Sequence, residues 1–426
     1  MKKHFILLFL IFFVSTNAQV WEDNLLNNNP NASITEKADA FDSYRAKVEY
    51  TKGNGYKPYA RNLDFILQRT SDGKGIPNGK FYTEWLKEKK RFDQHKSTSN
   101  SNWTELGPIN TPIILSNGKK RGNGRINCIA FDPFDKEKMW IGSPGGGLWS
   151  STDGGNTWST NTDGLPVIGV SYIAINPIDP QEMYITTGDA HASDTYSIGI
   201  LKSNDGGQTW DTTGMQFAVT DDKMVNKVII HPTFTDSLFA VTDNNIKISP
   251  DGGQTWSNAL STSGSVLSGY FRDIEFKPNN PNILYAVKQT TGSSQVYKSS
   301  DRGQTWSVAM NGISTVNRNR PLLAVTPANP DAVYVLFCMN DYGFHGIYKS
   351  TDNADSWTLQ SDSPNILGRN TDGTSTGGQS WYDLSLGVST EDEDLLYVGG
   401  INLWRSTDGG VNWNISGSSG NGSSYS

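Results

Sequence analysis

The sequence predicts an all-β chain folded as a β-propeller and preceded by a small helical N-terminal segment. Three observations carry that expectation. The box STDGGNTW, Ser151 to Trp158, recurs as SNDGGQTW from Ser203, SPDGGQTW from Ser249, SSDRGQTW from Ser299, STDNADSW from Ser350 and STDGGVNW from Ser406. The box aspartates, Asp153, Asp205, Asp251, Asp301, Asp352 and Asp408, lie 52, 46, 50, 51 and 56 residues apart, a period typical of stacked or radial supersecondary units. Around each box, short apolar runs alternate with turn signals, giving four strands per repeat, the pattern of a propeller blade.

Residues 1–18 read as a secretory signal peptide: Lys2 and Lys3 open it, Phe5 to Val14 form an apolar core, and Ala18 supplies the small residue at its end. Such a segment is too short to span a bilayer, and no other stretch is long and apolar enough to do so. Residues 19–96 carry no box. Ser33 and Glu36 form a capping-box signature, and Phe41, Tyr44 and Val48 fall on one helical face. Further helices are expected near Tyr59–Gln68 and Phe81–Phe92. Residues 97–102 are a Ser-rich linker, and 103–426 form the propeller.

Within the first five repeats the first strand ends near a proline, as in IAFDP (Ile129–Pro133), IAINP (Ile173–Pro177) and IEFKP (Ile274–Pro278), whereas the sixth, LGVST, has Thr390 there. A second strand comes after a short polar turn, a third runs into the box, and a fourth starts at its tryptophan. The box reads as a tight turn. Its Asp accepts backbone hydrogen bonds, its glycines allow positive φ, and Trp158, Trp210, Trp256, Trp306, Trp357 and Trp413 anchor the six turns to the core. The stretch WTELGP from Trp103 matches the segments that begin at box tryptophans, although no box precedes it. It is expected to be a lone fourth strand, with the chain continuing beyond Ser426 so that a seventh blade joins the six visible ones. A closed six-bladed ring with Trp103 spare is the alternative.

The boxes resemble Asp-box repeats, also called bacterial neuraminidase repeats, of sialidases, sortilin-like receptor ectodomains and xyloglucan-degrading endoglucanases. Residues 102–426 look most like the propellers of secreted, glycosyl-hydrolase-like proteins of Bacteroidetes type. The resemblance implies box turns between the outer two strands of each blade, so that their aspartates are structural and spread around the rim. It is specific for fold and not for activity.

The net charge is −7, with 43 acidic against 36 basic residues; removing Lys2 and Lys3 leaves 34 basic residues and a charge of −9. An acidic exported chain is a poor partner for nucleic acid or anionic lipid. Cys128 and Cys338 belong to distant repeats and read as buried free thiols. No nucleophile, zinc or nucleotide signature is present, and no cofactor is expected.

Ligands of propellers gather over the central channel. The loop TGDAHASDTYSIG offers Asp189, His191, Asp194 and Tyr196; GGQSWYDL offers Trp381, Tyr382 and Asp383; Arg272 stands at an innermost strand. Aromatic rings beside carboxylates suit sugar recognition, while Asp189 and Asp194 supply hard oxygen ligands for calcium, without matching a known calcium loop. The xyloglucan-degrading relatives carry a catalytic Asp just before a Gly-Gly pair in the first blade, where this chain aligns Pro144 within SPGGG. Sialidases need an arginine triad; Arg125, Arg272 and Arg320 stand near innermost strands here, but the sialidase motif does not accompany them, and one arginine at a strand entrance is more often a salt-bridge or channel residue. Glu275 replaces Ala130, Ala174 and Ala324 at an innermost position. The expected function is a secreted or outer-membrane surface propeller that binds polysaccharide or protein. A glycoside hydrolase with a non-standard site and a sortilin-like peptide-binding ectodomain are the alternatives.

Overall fold

The computed structural model describes residues 124–192 and 195–418, and, in the N-terminal stretch, residues 32–47 with shorter pieces between 25 and 91. The chain divides into two compact units, 1–99 and 100–426. In the first, an α-helix spans Ile34–Arg45; the Glu36 amide donates to Ser33 Oγ and the Ser33 amide to Glu36. This is the capping box expected from sequence, and Phe41 is the buried residue of that helix. Described residues near 60–64 and 84–91 are also helical. The signal-peptide segment, Trp103 and the end of the chain from 419 lie outside the described residues. No described helix is long and apolar enough to cross a membrane.

The second unit is a six-bladed β-propeller among the described residues. Each blade is an antiparallel sheet whose strands keep chain order, because each connection is a short turn between neighbours. Blade one comprises Cys128–Phe131, Met139–Ser143, Gly147–Ser151 and Ser159–Thr160. The first strands of the other five are Val170–Ile175, Val225–Ile230, Tyr270–Phe276, Pro321–Thr326 and Ser385–Val388. These first strands pack beside one another from blade to blade and so line the axis. Blade four gains a fifth strand, Leu260–Ser261, parallel to Thr305–Val308.

Apolar side chains fill the spaces between sheets. One cluster joins Tyr334, Leu336 and Ile347 of blade five to Leu396, Val398 and Trp404 of blade six. Another joins Phe239 and Ile246 of blade three to Phe271, Ala286 and Trp306 of blade four. Cys338 is buried as expected, but Cys128 is half-buried; both are free thiols.

The box turns have one hydrogen-bond pattern. In blade one Ser151 Oγ donates to Asp153 at 2.8 Å and accepts from the Gly155 amide, while Thr157 donates to Asp153 from its amide at 2.8 Å and its hydroxyl at 2.6 Å. The same bonds recur around Asp205, Asp251 and Asp301, around Asp352 with Ser356 replacing Thr, and around Asp408 with Asn412 replacing Thr. The turn needs two residues at positive φ: Gly154 and Gly155 supply +67° and +86°, and blade five uses Asn353 and Ala354 at +62° and +66°. Trp306 closes its turn by donating to the Gly303 carbonyl at 2.7 Å and is 1% exposed.

These turns predict acid lability. Hydrogen bonds from Thr157 and Thr209, and from Ser356 in blade five, lower the carboxyl pKa values of Asp153, Asp205 and Asp352 from 3.8 to about 2. The stabilisation is complete above the ordinary carboxylate value and disappears as pH falls from about 4 to about 2. Calorimetric melting across that window should show a falling midpoint in the wild type and a shallower fall in the Asp153→Asn/Asp205→Asn variant. Trp306→Ala, by contrast, should cost about 3–5 kcal/mol at neutral pH.

Candidate functional site at the hub

The turns joining second to third strands, and the segments leading into first strands, meet at the end of the axis opposite the box turns. Three loops matter there. Ser143–Gly147 turns tightly because Gly147 sits at φ +79°, where a Cβ would lie 2.2 Å from Thr162 Oγ1. Pro144 is in this turn, between the second and third strands of blade one. Residues 188–198 connect the second and third strands of blade two. Residues 377–384 lead into the first strand of blade six and are pinned by Ser380 Oγ, which donates to the Tyr342 carbonyl at 2.7 Å.

Three consecutive residues of the blade-two loop each engage one arginine from a different blade. Arg125, preceding blade one, forms a salt bridge with Asp189, whose other oxygen accepts from the His191 amide at 3.1 Å. Arg272, in the first strand of blade four, donates to the Ala190 carbonyl at 2.5 Å. Arg320, preceding blade five, donates to His191 Nδ1 at 2.5 Å. Since a guanidinium has no acceptor, His191 must carry its proton on Nε2.

The blade-six loop closes on the same group. The Trp381 carbonyl accepts from Arg320 and the Tyr382 carbonyl from Arg125 at 3.4 Å. Arg125 also lies over the Tyr382 ring, 4.3 Å from its centroid, a cation–π contact. The Trp381 ring stands 5.2 Å from that of Tyr382 and is 44% exposed, and Tyr196 is 37% exposed. Asp383 is half-buried, with Oδ1 buried and unpartnered.

The electrostatics follow from burial. Burial, then the charges of Arg320, Arg272 and Arg125, hold the His191 pKa well below its ordinary value. Burial pushes the Asp383 carboxyl up against the pull of Arg320 and Arg125. It also pushes the Arg320 guanidinium down to about 9, assisted by Arg272.

Of the residues expected at the site, Asp189, His191, Arg272, Trp381 and Tyr382 share this network, with Asp383 adjoining it in the blade-six loop. Tyr196 is exposed on the blade-two loop, and Asp194 lies outside the described residues. Asp189, one half of the calcium pair considered from sequence, is engaged by Arg125 and backbone amides. Among the described residues no group of three or more His, Cys, Asp or Glu is placed to hold a metal ion. Arg125 and Arg320, which in sequence look like ordinary salt-bridge or channel residues, are central to the network. The signal that could have found them is positional: each arginine precedes the apolar pair of an innermost strand by two to four residues.

Glu275 belongs to a separate cluster further along the axis. It accepts from Lys227 at 2.6 Å, as Asp273 does at 2.8 Å, and Lys227 lies 4.9 Å from the centroid of the Tyr172 ring. The opposite mouth of the channel holds a cavity of 710 Å³ lined by prolines such as Pro177, Pro232, Pro278 and Pro327 together with Tyr172 and Lys277. It has fewer converging polar groups than the arginine end.

No protein-family model matches the chain. It is similar to a xyloglucanase of Acetivibrio thermocellus, 24% identical over 279 residues, which cover 58% of this chain and 32% of that protein. A Paenibacillus sp. xyloglucanase is 27% identical over 281 residues, 58% of this chain and 26% of that one. The chain therefore spans about a third or less of the length of these two relatives. Among solved structures, the GH74 xyloglucanase from Xanthomonas campestris aligns with a TM-score of 0.52 at 16% identity, over 69% of this chain and 45% of that one. The Niastella koreensis GH74 enzyme aligns at 0.51 and 20% identity, over 70% and 46%. At these identities the likeness shows a shared propeller fold.

The geometry predicts an imidazole that does not titrate near neutrality. Nitrogen NMR of His191 should show one neutral form, protonated at Nε2, between about pH 6 and 8. In Arg320→Gln the pKa should rise toward the ordinary histidine value; a wild-type midpoint near 6.5 would contradict the assigned contact.

Proposed function

We propose that this chain is the glycan-holding propeller of a secreted glycoside hydrolase of the xyloglucanase-like kind, with polysaccharide lying across the arginine end of the hub. The observation that carries the reading is the convergence of loops from blades two and six, with arginines from blades one, four and five, beside the exposed Trp381 ring. An aromatic face flanked by fixed polar groups is what a sugar ring requires. The similarity to xyloglucanases supports the same substrate class.

In this reading Trp381 is the stacking platform and Asp383 the proton donor, since a general acid needs a carboxyl pKa raised by its surroundings. Asp189 positions Arg125 and the 189–191 backbone. A second reading, binding or scaffolding without hydrolysis, is favoured by one specific observation: Pro144 occupies the place where the resemblance puts a catalytic carboxylate, and glycoside hydrolysis ordinarily uses two carboxyl groups.

The test is binding and reducing-sugar release by the purified chain on a panel of neutral and acidic plant polysaccharides. Trp381→Ala should weaken glycan binding about tenfold, the loss of roughly 1.4 kcal/mol. Asp383→Asn should retain binding within a few-fold and abolish release. Binding without release by the wild type would establish the second reading, and absence of binding to every glycan would overturn both.

A further inference from the structure

A repeat makes its exceptions visible, and two of them meet between blades three and four. In four blades the residue that opens the turn after the first strand caps it with a side-chain oxygen: Asp132, Asn176, Thr326 and Ser389 each accept the amide two residues further on. Blade three uses a histidine, whose Nδ1 accepts the Thr233 and Phe234 amides at 3.2 and 3.1 Å. The proton of the neutral ring is therefore on Nε2. Asp132 and Asn176 spend their other polar atom on Lys138 and Glu182. His231 is 2% exposed, and its Nε2 is buried without a partner.

The second exception is Arg302. It is the first left-handed residue of the blade-four box, at φ +59°, where the other boxes place Gly154, Gly206, Gly252, Asn353 and Gly409. Glycine takes that conformation freely and a long side chain does not. Arg302 Nε donates to Asn282 at 2.7 Å, and the guanidinium lies 5.4 Å from the centroid of the Phe234 ring of blade three. That ring is 53% exposed and stands 5.0 Å from the imidazole of His231.

His231, Phe234 and Arg302 line one cavity of 660 Å³, with Asp236, Pro250 and Gln304 also on its walls, a size suited to a small ligand or one segment of a polymer. An apolar ligand would leave the imidazole N–H unpaired, and Asp236 works against an anion. A sugar meets both limits, because it offers a flat apolar face to the phenyl ring and oxygens to the donors around it.

We propose that this cavity is a second polysaccharide contact, in which a sugar ring lies on Phe234 and its oxygens accept from Arg302 and from His231 Nε2. The inference rests on the glycan-holding reading and adds to it an anchor at the box-turn end of the propeller, away from Trp381. Two contacts on one polymer raise its affinity through effective concentration. A short oligosaccharide, which fills one contact at a time, gains nothing from the second.

The probes are high-molar-mass xyloglucan and a xyloglucan heptasaccharide, each titrated calorimetrically into the whole chain. The ratio of polymer to oligosaccharide affinity should fall about tenfold in Phe234→Ala and in Arg302→Gly. Arg302→Gly restores the residue that the turn favours, so its melting temperature should stay near wild type and separate a lost contact from a lost fold. An unchanged ratio in either variant would overturn this inference and leave the glycan-holding reading intact. Failure of the wild type to bind either probe would overturn the xyloglucanase-like reading and this inference with it.

Discussion

A buried lysine holds the inner ring together. Lys227, on the first strand of blade three, faces the Tyr172 ring of blade two and pairs with Asp273 and Glu275 of blade four. The second oxygen of Asp273 accepts the Leu323 amide of blade five at 3.1 Å. Four innermost strands are therefore tied at one level of the axis. That level sets the height of the residues just before it in each strand. Arg272 stands one residue before Asp273 and Arg320 three before Leu323, so the same ties that align the strands bring both guanidiniums to one loop of blade two. Removing the lysine would leave two acidic side chains at the hub without their counter-charge, a larger penalty than the pair's own net contribution.

The division between rim and hub follows from strand order. In every blade the first strand is at the axis and the box lies between the third and fourth. The six box aspartates are thus distributed around the outside, each satisfied by its own turn, while residues preceding first strands converge whatever their separation in sequence. Arg125 and Tyr382 are 257 positions apart and touch. A propeller can in this way keep the repeat for folding and leave the hub loops free to vary in chemistry.

Much of the fold was legible because the box is local: Ser, Asp, Gly and Trp interact within eight residues, so spacing alone reports the turn, and six turns report the blades. The capping box at Ser33 was legible for the same reason. The candidate site was only partly so. Asp189, His191, Trp381 and Asp383 stood out as polar or aromatic residues in loops of unusual composition. Arg125 and Arg320 did not, since one arginine before a strand is ordinary and its importance comes from two others that fold beside it. Glu275 stood out as an exception in its repeat, but its partner Lys227 is on another blade, and only the structure shows that the outlier completes an ion pair. The half-burial of Cys128 was illegible too: its side chain packs beside Val170 at the edge of the cluster between blades one and two, while Ile129 and Phe131, on the other face of the same strand, are exposed.

The account turns on chemistry collecting at the arginine end of the axis, with the rim serving the fold. A crystal structure of the chain soaked with a xyloglucan oligosaccharide tests this most directly. The account predicts sugar density against Trp381 at the arginine end of the hub, with unperturbed box turns. Density confined to the rim or to the proline-lined cavity at the other mouth would contradict it.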